Sequence, residues 1–340
     1  MHVPIPKFLG TLLAGISACA VPSYSQDPAA IGGFTLGYVF DRRSSGLKPL
    51  VGIPGAAVLA AQLDAGVAIR QAYVSPRQNY AVALTDDAAL LVIFHSATDP
   101  PGVSTLGFPS SSATVVALSP DGSAGAFYSA SEAVIRVVTG LPSAPAIVRS
   151  VPATATSGTI RLLAVSNDAA QIVAATDADG SCTLSRIDPD GSARTLAGST
   201  HISALQFMGE SRNLLVSDDA DNTVSMVQDV SGSAALQLLA GAADGISGPA
   251  GLDVSLDGKL VIVADSSGRN VLVFDSTGSQ RATYPCPCTP AGLGRLNGNS
   301  VFLLNALSDS GPLWLFDGDN ATPRVLFVPA GENTTAGSDQ

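Results

Sequence analysis

The sequence predicts an all-β fold, a β-propeller of four-stranded blades, and three observations predict it. A phrase of four short apolar segments separated by turn residues recurs six times along the chain. The copies are spaced by about 40 to 47 residues, the period of propeller blades. Of 340 residues, 34 are Gly and 22 are Pro, whereas only 13% are charged. That composition suits short strands and frequent turns rather than long surface helices, which carry Glu and Lys.

Taken in order, residues 1–25 read as a signal peptide. Lys7 lies in a short first region, Phe8–Val21 is apolar but short for a bilayer span, and Pro22 ends it. The small residues before Gln26 fit cleavage after Ser25. The alternative is "ISAC" (Ile16–Cys19), which is similar to the bacterial lipobox and would make Cys19 an acylated first residue. The expected location is secreted or periplasmic, with a lipoprotein anchored at Cys19 as the alternative. No second apolar stretch reaches membrane-spanning length, so no transmembrane segment is expected.

The propeller domain is expected over residues 34–330. Leu36–Asp41 and Leu47–Gly52 match the third and fourth segments of the phrase and form an N-terminal hairpin. Ala56–Gly66 carries the one apolar spacing that suggests a short helical turn. Full units then begin near residues 67, 113, 159, 201, 248 and 291. Gly251–Asp275, "GLDVSLDGKLVIVADSSGRNVLVFD", is the best-preserved copy, with the tight turn Ser255–Gly258 between its first two apolar runs. Six full repeats plus the hairpin predict seven blades, one incomplete, rather than six. Residues 331–340 have no apolar pattern and are expected to be disordered.

"SPDG" at Ser119, "SLDGKLVIVADSSGRNVLVFD" and "SDDADNTVSMVQD" resemble the repeats of bacterial propellers of the YVTN and NHL type. In those, a turn Asp-Gly precedes an apolar strand ending in Asp or Asn. The stretch beginning "GYVFDRRSSGLKPLVG" is similar to the start of secreted propellers without an assigned role. The resemblance covers about residues 34–330. It implies the fold but not the activity, because such propellers include lactonases, binding modules and proteins of unassigned role.

Charge narrows the partners. A net charge of −11, with Lys only at positions 7, 48 and 259, excludes nucleic acid, whose phosphates need clustered Lys and Arg. No G-x-S-x-G elbow occurs, so a hydrolase triad has no support. His95 and His201 fall in different repeats and read as structural or exposed. Two thiols and two His do not make a zinc set. Three cysteines remain after export: Cys182, Cys286 and Cys288. On a strand, Cys286 and Cys288 are neighbours on one face, a poor spacing for an unstrained bridge, so a longer link to Cys182 is equally open.

Carboxylates are the remaining resource. "DADG", with Asp177 and Asp179, and "DGDN" (Asp317–Asn320) look like fragments of calcium loops, yet Asp, Asn and Gly are also the ordinary turn residues. Asp218, Asp219, Asp221, Asp265 and Asp275 close strands. Glu is scarce: Glu132 and Glu210 read as solvent-facing and Glu332 lies in the tail. Asp253 stands out, because the matching positions in other copies are mostly apolar or neutral, and it is the weak metal candidate to test for a channel-facing role. Trp314 reads as packing between blades. No cofactor is expected, with Ca or another divalent ion as the alternative. The expected function is a monomeric binding or scaffold module taking a protein or small-molecule ligand at a rim. A lactonase-like, metal-dependent hydrolase with channel carboxylates is the alternative.

Overall fold

The computed structural model describes residues 34–95, 99–156, 158–307 and 311–329. The expected signal peptide with Cys19 and the tail 331–340 lie outside the described residues. Among the described residues, twenty-seven strands form seven antiparallel sheets, each built from consecutive strands. Blade 1 holds β1 (Thr35–Asp41), β2 (Gly46–Val51) and β3 (Val58–Leu59). Blade 2 holds β4 (Gln71–Val74), β5 (Tyr80–Leu84), β6 (Ala89–Ile93) and β7 (Gly102–Thr105). Blade 3 follows with β8 (Val115–Leu118), β9 (Ala124–Ser129), β10 (Val134–Thr139) and β11 (Ala146–Pro152). Blade 4 has β12 (Thr159–Val165), β13 (Ile172–Ala178), β14 (Ser181–Ile187) and β15 (Ala193–Ser199). Blade 5 has β16 (Ile202–Phe207), β17 (Leu214–Asp218), β18 (Thr223–Gln228) and β19 (Ala235–Ala240). Blade 6 has β20 (Pro249–Val254), β21 (Leu260–Asp265), β22 (Asn270–Asp275) and β23 (Gln280–Pro285). Blade 7 has β24 (Gly294–Arg295), β25 (Val301–Leu303), β26 (Leu313–Asp317) and β27 (Arg324–Val328).

The core is distributed between blades. Each of seven apolar clusters joins two successive blades, so seven blades share seven interfaces and the ring closes. The closing cluster sets Leu36, Val39 and Leu50 of blade 1 against Val301, Leu313 and Leu315 of blade 7. Second strands such as YAVAL (β5) and AGAFYS (β9) are buried at every position, because a blade lies against each face. They read as continuous small and apolar runs for that reason. Fourth strands such as AIVRSVP (β11) are mostly exposed at the circumference. Phe127, Phe207, Phe274, Phe302 and Phe316 are fully buried between sheets, and truncating one to Ala costs about 3–5 kcal/mol.

The turn joining first and second strands repeats one chemistry in blades 3, 4 and 6. The N–H of Ser119, Ser166 and Ser255 bonds the C=O five residues on, and each Ser Oγ accepts the returning N–H of Ala124, Gln171 and Leu260. The same hydroxyls donate to Asp121, Asp168 and Asp257. The fourth turn position is left-handed: Gly122 has φ +71° and Gly258 +73°, while Ala169 and Gln78 both adopt +56°. Ala169 therefore keeps the turn of blade 4 intact without the Asp-Gly pair.

Two sequence expectations are corrected. Ala56–Gly66 is not a helical turn. It continues β3 as an irregular strand beside β2, with the N–H groups of Ala60 and Leu63 bonded to the C=O groups of Pro49 and Leu47. The N-terminal hairpin is an incomplete blade, as expected, but its strands are not the third and fourth. Leu36 accepts from Asn297 N–H and the Tyr38 N–H is bonded by Gln78, both residues of first-to-second turns. The other end of β1 reaches Leu307 and the start of blade 2, where Ile69 N–H bonds Ser45 C=O. β1 thus runs in the sense of a second strand. Among the described residues blade 1 has no strand inside β1, and a cavity opens there in the channel wall between blades 7 and 2.

Candidate ligand pocket in the central channel

First strands line a propeller channel. A cavity of about 540 Å³ lies there, bordered by Tyr38, Phe40 and Arg42 of blade 1, Gln71 and Tyr73 of β4, and Asn305 after β25. A smaller hollow of about 250 Å³ opens on the first-to-second turn face. Gln206, Asp253 and Arg295 border both, so this polar layer forms the floor between them.

Asp253 and Arg295 form the centre of that floor. Arg295 Nη2 donates to Asp253 Oδ1 at 2.7 Å and also to the Val254 carbonyl. The side chains are only 9% (Arg295) and 12% (Asp253) exposed. The guanidinium carbon sits 4.9 Å from the Phe302 ring centroid, so an aromatic face shares the cation. Burial pushes the Asp253 carboxyl above its ordinary value, against the pull of Arg295. Arg295 Nη1 is buried without a hydrogen-bond partner.

Gln78 ties this layer to the incomplete blade. Its Oε1 accepts the Tyr38 N–H at 2.7 Å and its Nε2 donates to the Arg295 carbonyl. One amide thus links blades 1, 2 and 7 at the start of β1. Glycine would take the left-handed turn position without strain, but it could not make this bridge.

Asp177 and Asp179 are not brought to the channel floor. Asp179 (φ +50°) and Gly180 (φ +79°) form the two-residue turn of the β13–β14 hairpin, consistent with type I′ geometry. Asp177 pairs with Arg161 Nε at 2.8 Å. Arg161 also contacts His201 Nε2, and His201 Nδ1 contacts Asp219. A guanidinium cannot accept, so the arrangement uses the Nε2 lone pair and the Nδ1 proton, which leaves His201 no free base. In "DGDN", Asp319 accepts the Asn299 and Ser300 N–H groups at 2.7 Å each. Asp218 and Asp265 end their second strands by accepting turn N–H groups, at 2.9 Å from Ala220 and 2.8 Å from Gly268. Asp41 does the same for Arg43 at the end of β1, which agrees with the sense of that strand. Asp275 accepts from Thr277 and Ser279. Among the described residues, no three His, Cys, Asp or Glu side chains gather to hold a metal ion.

Other sequence readings also find their places. His95 is exposed. Glu132 pairs with Arg136 at 2.6 Å, and Glu210 accepts from Asn167. Trp314 packs beside the cluster between blades 6 and 7. Cys286 and Cys288 are bonded to each other, with Cα atoms 5.0 Å apart, although their spacing looked unfavourable. The chain leaves the strand after Pro285, so the pair is not held on a flat strand face. Cys182 is a free thiol buried between blades 4 and 5.

Sequence reasoning singled out Asp253 but missed its partner. The signal was present: first strands end in Val74, Leu118, Val165, Phe207 and Val254, whereas the sixth copy ends in Arg295.

No protein-family model matches the chain, and no curated protein matches it. Solved structures do. A functionally unknown protein from Desulfotomaculum acetoxidans DSM 771 superposes with a TM-score of 0.59 at 14% identity, over 87% of this chain and 95% of that one. A 6-phosphogluconolactonase candidate from Bacteroides fragilis NCTC 9343 gives 0.56 at 12% identity, over 87% and 97%. A streptogramin B lyase gives 0.55 at 12% identity, over 84% and 87%. The chain shares the propeller fold with all three.

Proposed function

We propose that this protein is a small-molecule binding propeller, with its ligand in the channel cavity that borders β1, β4 and β24. One observation carries the reading: a cavity of about 540 Å³ whose aromatic walls converge on a buried, hydrogen-bonded polar floor. Ligand sites combine that size range with apolar walls and a few fixed polar groups. A peptide strand is a poorer fit. The inner edge of β1 is already engaged by Asn297, Gln78 and Leu307, so little backbone is open to strand addition. Catalysis has weaker support, since Asp253 is committed to Arg295 and a metal would have to displace a guanidinium. With the leader read in the sequence, the binding would occur outside the cytoplasm, the protein acting as a monomer.

Ligand-observed NMR on the purified chain with a metabolite mixture tests this reading. The expected result is saturation transfer to a few compounds, with affinity falling at least about tenfold in Tyr73→Ala, which removes one aromatic wall. Absence of any ligand, or ligands indifferent to Tyr73, would overturn it. Divalent-ion-dependent turnover of lactones or esters would replace it with a hydrolase.

A further inference from the structure

Two charged features of the cavity have no role in holding the ring together. The first is Arg42, exposed at the mouth just beyond β1. Among the described residues no carboxylate pairs with it. The adjacent Asp41 is committed to Lys48 at 2.7 Å, to the Arg43 N–H and to the Ser44 hydroxyl. The second is Arg295 Nη1 in the floor, buried and unpartnered. A buried donor without an acceptor costs about 1–3 kcal/mol, so a small shift of the guanidinium toward a ligand oxygen in the cavity would relieve it.

The two ends ask for different oxygens. The charge of Arg295 is already balanced by Asp253, so the floor accepts a neutral acceptor, a carbonyl or hydroxyl, better than a second carboxylate. The mouth carries the uncompensated charge of Arg42, in a protein whose net charge is −11. Low-dielectric walls focus that local positive field toward an anion. Phe40 and Tyr73, both half-buried, border the same cavity, with Tyr38 stacked on Phe94 behind it.

We infer that the ligand class is a small organic monoanion with an apolar or aromatic body. Its carboxylate lies at Arg42 and a neutral carbonyl or hydroxyl oxygen lies at Arg295 Nη1. This rests on the channel-binding reading above and adds the charge, orientation and polarity of the occupant.

Three aryl probes of one shape test it by calorimetric titration of the full chain: 4-hydroxyphenylacetate, its neutral amide, and the cation tyramine. The carboxylate should bind at least about tenfold tighter than the amide, with tyramine weakest. Its advantage should shrink as salt is raised from about 0.05 to 0.5 M, because the mouth is solvated. Arg42→Gln, an exposed change outside the packed interfaces, should lower carboxylate affinity to that of the amide and leave the amide unchanged. Equal binding of the three probes, a loss shared by all three in Arg42→Gln, or binding by none overturns the inference. The channel-binding reading is judged separately by the metabolite mixture: neutral or cationic ligands that depend on Tyr73 would leave it standing while this inference falls.

Discussion

Arg295 of blade 7 donates a 2.7 Å hydrogen bond to Asp253 of blade 6, and the pair closes the channel as a buried polar floor. Two charges removed from water persist only because each compensates the other. Asp253→Ala removes the acceptor itself and leaves Arg295 Nη2 without its side-chain partner in a buried site, so it should destabilise the protein by about 1–3 kcal/mol, read as a lower denaturant midpoint with an unchanged slope. An unchanged midpoint would show that solvent reaches the pair.

The same carboxyl has a pH signature opposite to that of the turn aspartates. Burial raises the folded value of Asp253 above 3.8, so the folded state binds the proton more tightly. Its contribution to stability is therefore present at low pH and declines as pH rises from about 3.8 through the folded value. Asp168 and Asp218 are lowered, the first chiefly by Ser166, the second by Ser199 and backbone N–H groups that outweigh burial. Asp257 is lowered to about 2 by Ser255 and Lys259. Their contributions are present above about pH 4 and fade as pH falls through the folded values. Stability followed from pH 7 to 2 should fall in acid, where the turns dominate. Asp253→Asn should deepen that fall relative to neutral pH, because the stabilising proton uptake is gone.

Gln78 and Ala169 occupy the same left-handed turn position, yet they should respond differently to glycine. Ala169→Gly relieves about 1 kcal/mol of strain and loses about 0.8 kcal/mol of buried methyl, so the midpoint should barely move. Gln78→Gly relieves the same strain but orphans the Tyr38 N–H and the Arg295 carbonyl. A net loss of about 1–2 kcal/mol is expected from chemical denaturation. Equal responses would show that Gln78 is a turn residue only.

Tyr80 is fully buried, and its hydroxyl donates to the Gly122 carbonyl at 2.7 Å across blades 2 and 3. Tyr80→Phe keeps the ring but leaves that acceptor unsatisfied, so a loss of about 1–3 kcal/mol is expected. The burial that creates this cost also pushes the phenol well above its ordinary value. Ultraviolet titration should therefore show one tyrosine that ionises only on alkaline unfolding.

Cys182 is 1% exposed, and burial raises its thiol. Thiol reagents should leave it untouched in the native protein and modify it once denaturant is added, while Cys286 and Cys288 respond only after reduction. Fast labelling of the native protein would mean that the interface between blades 4 and 5 opens readily.

The repeat itself was legible because each blade solves the same local problem. Turn residues at a fixed offset, small apolar second strands and polar strand ends recur in "SPDG", "YAVAL" and "VADSS", and these determine four-stranded antiparallel blades whatever the ring size. Asp253 was visible as a carboxylate in a strand where the other copies are apolar or neutral. Its meaning was not visible, because Arg295 lies in the next blade and only ring geometry brings the two together. The hairpin at Leu36–Val51 shows the same limit. Its pattern marks it as repeat-like, but strand sense depends on which neighbours it meets, and Asn297 and Gln78 decide that. Local sequence thus determined the blade, since its hydrogen bonds run between adjacent segments. The tertiary structure decided how blades 1 and 7 close the ring, the sense of the strands in blade 1 and the cavity beside them, since those depend on contacts between blades far apart in the chain.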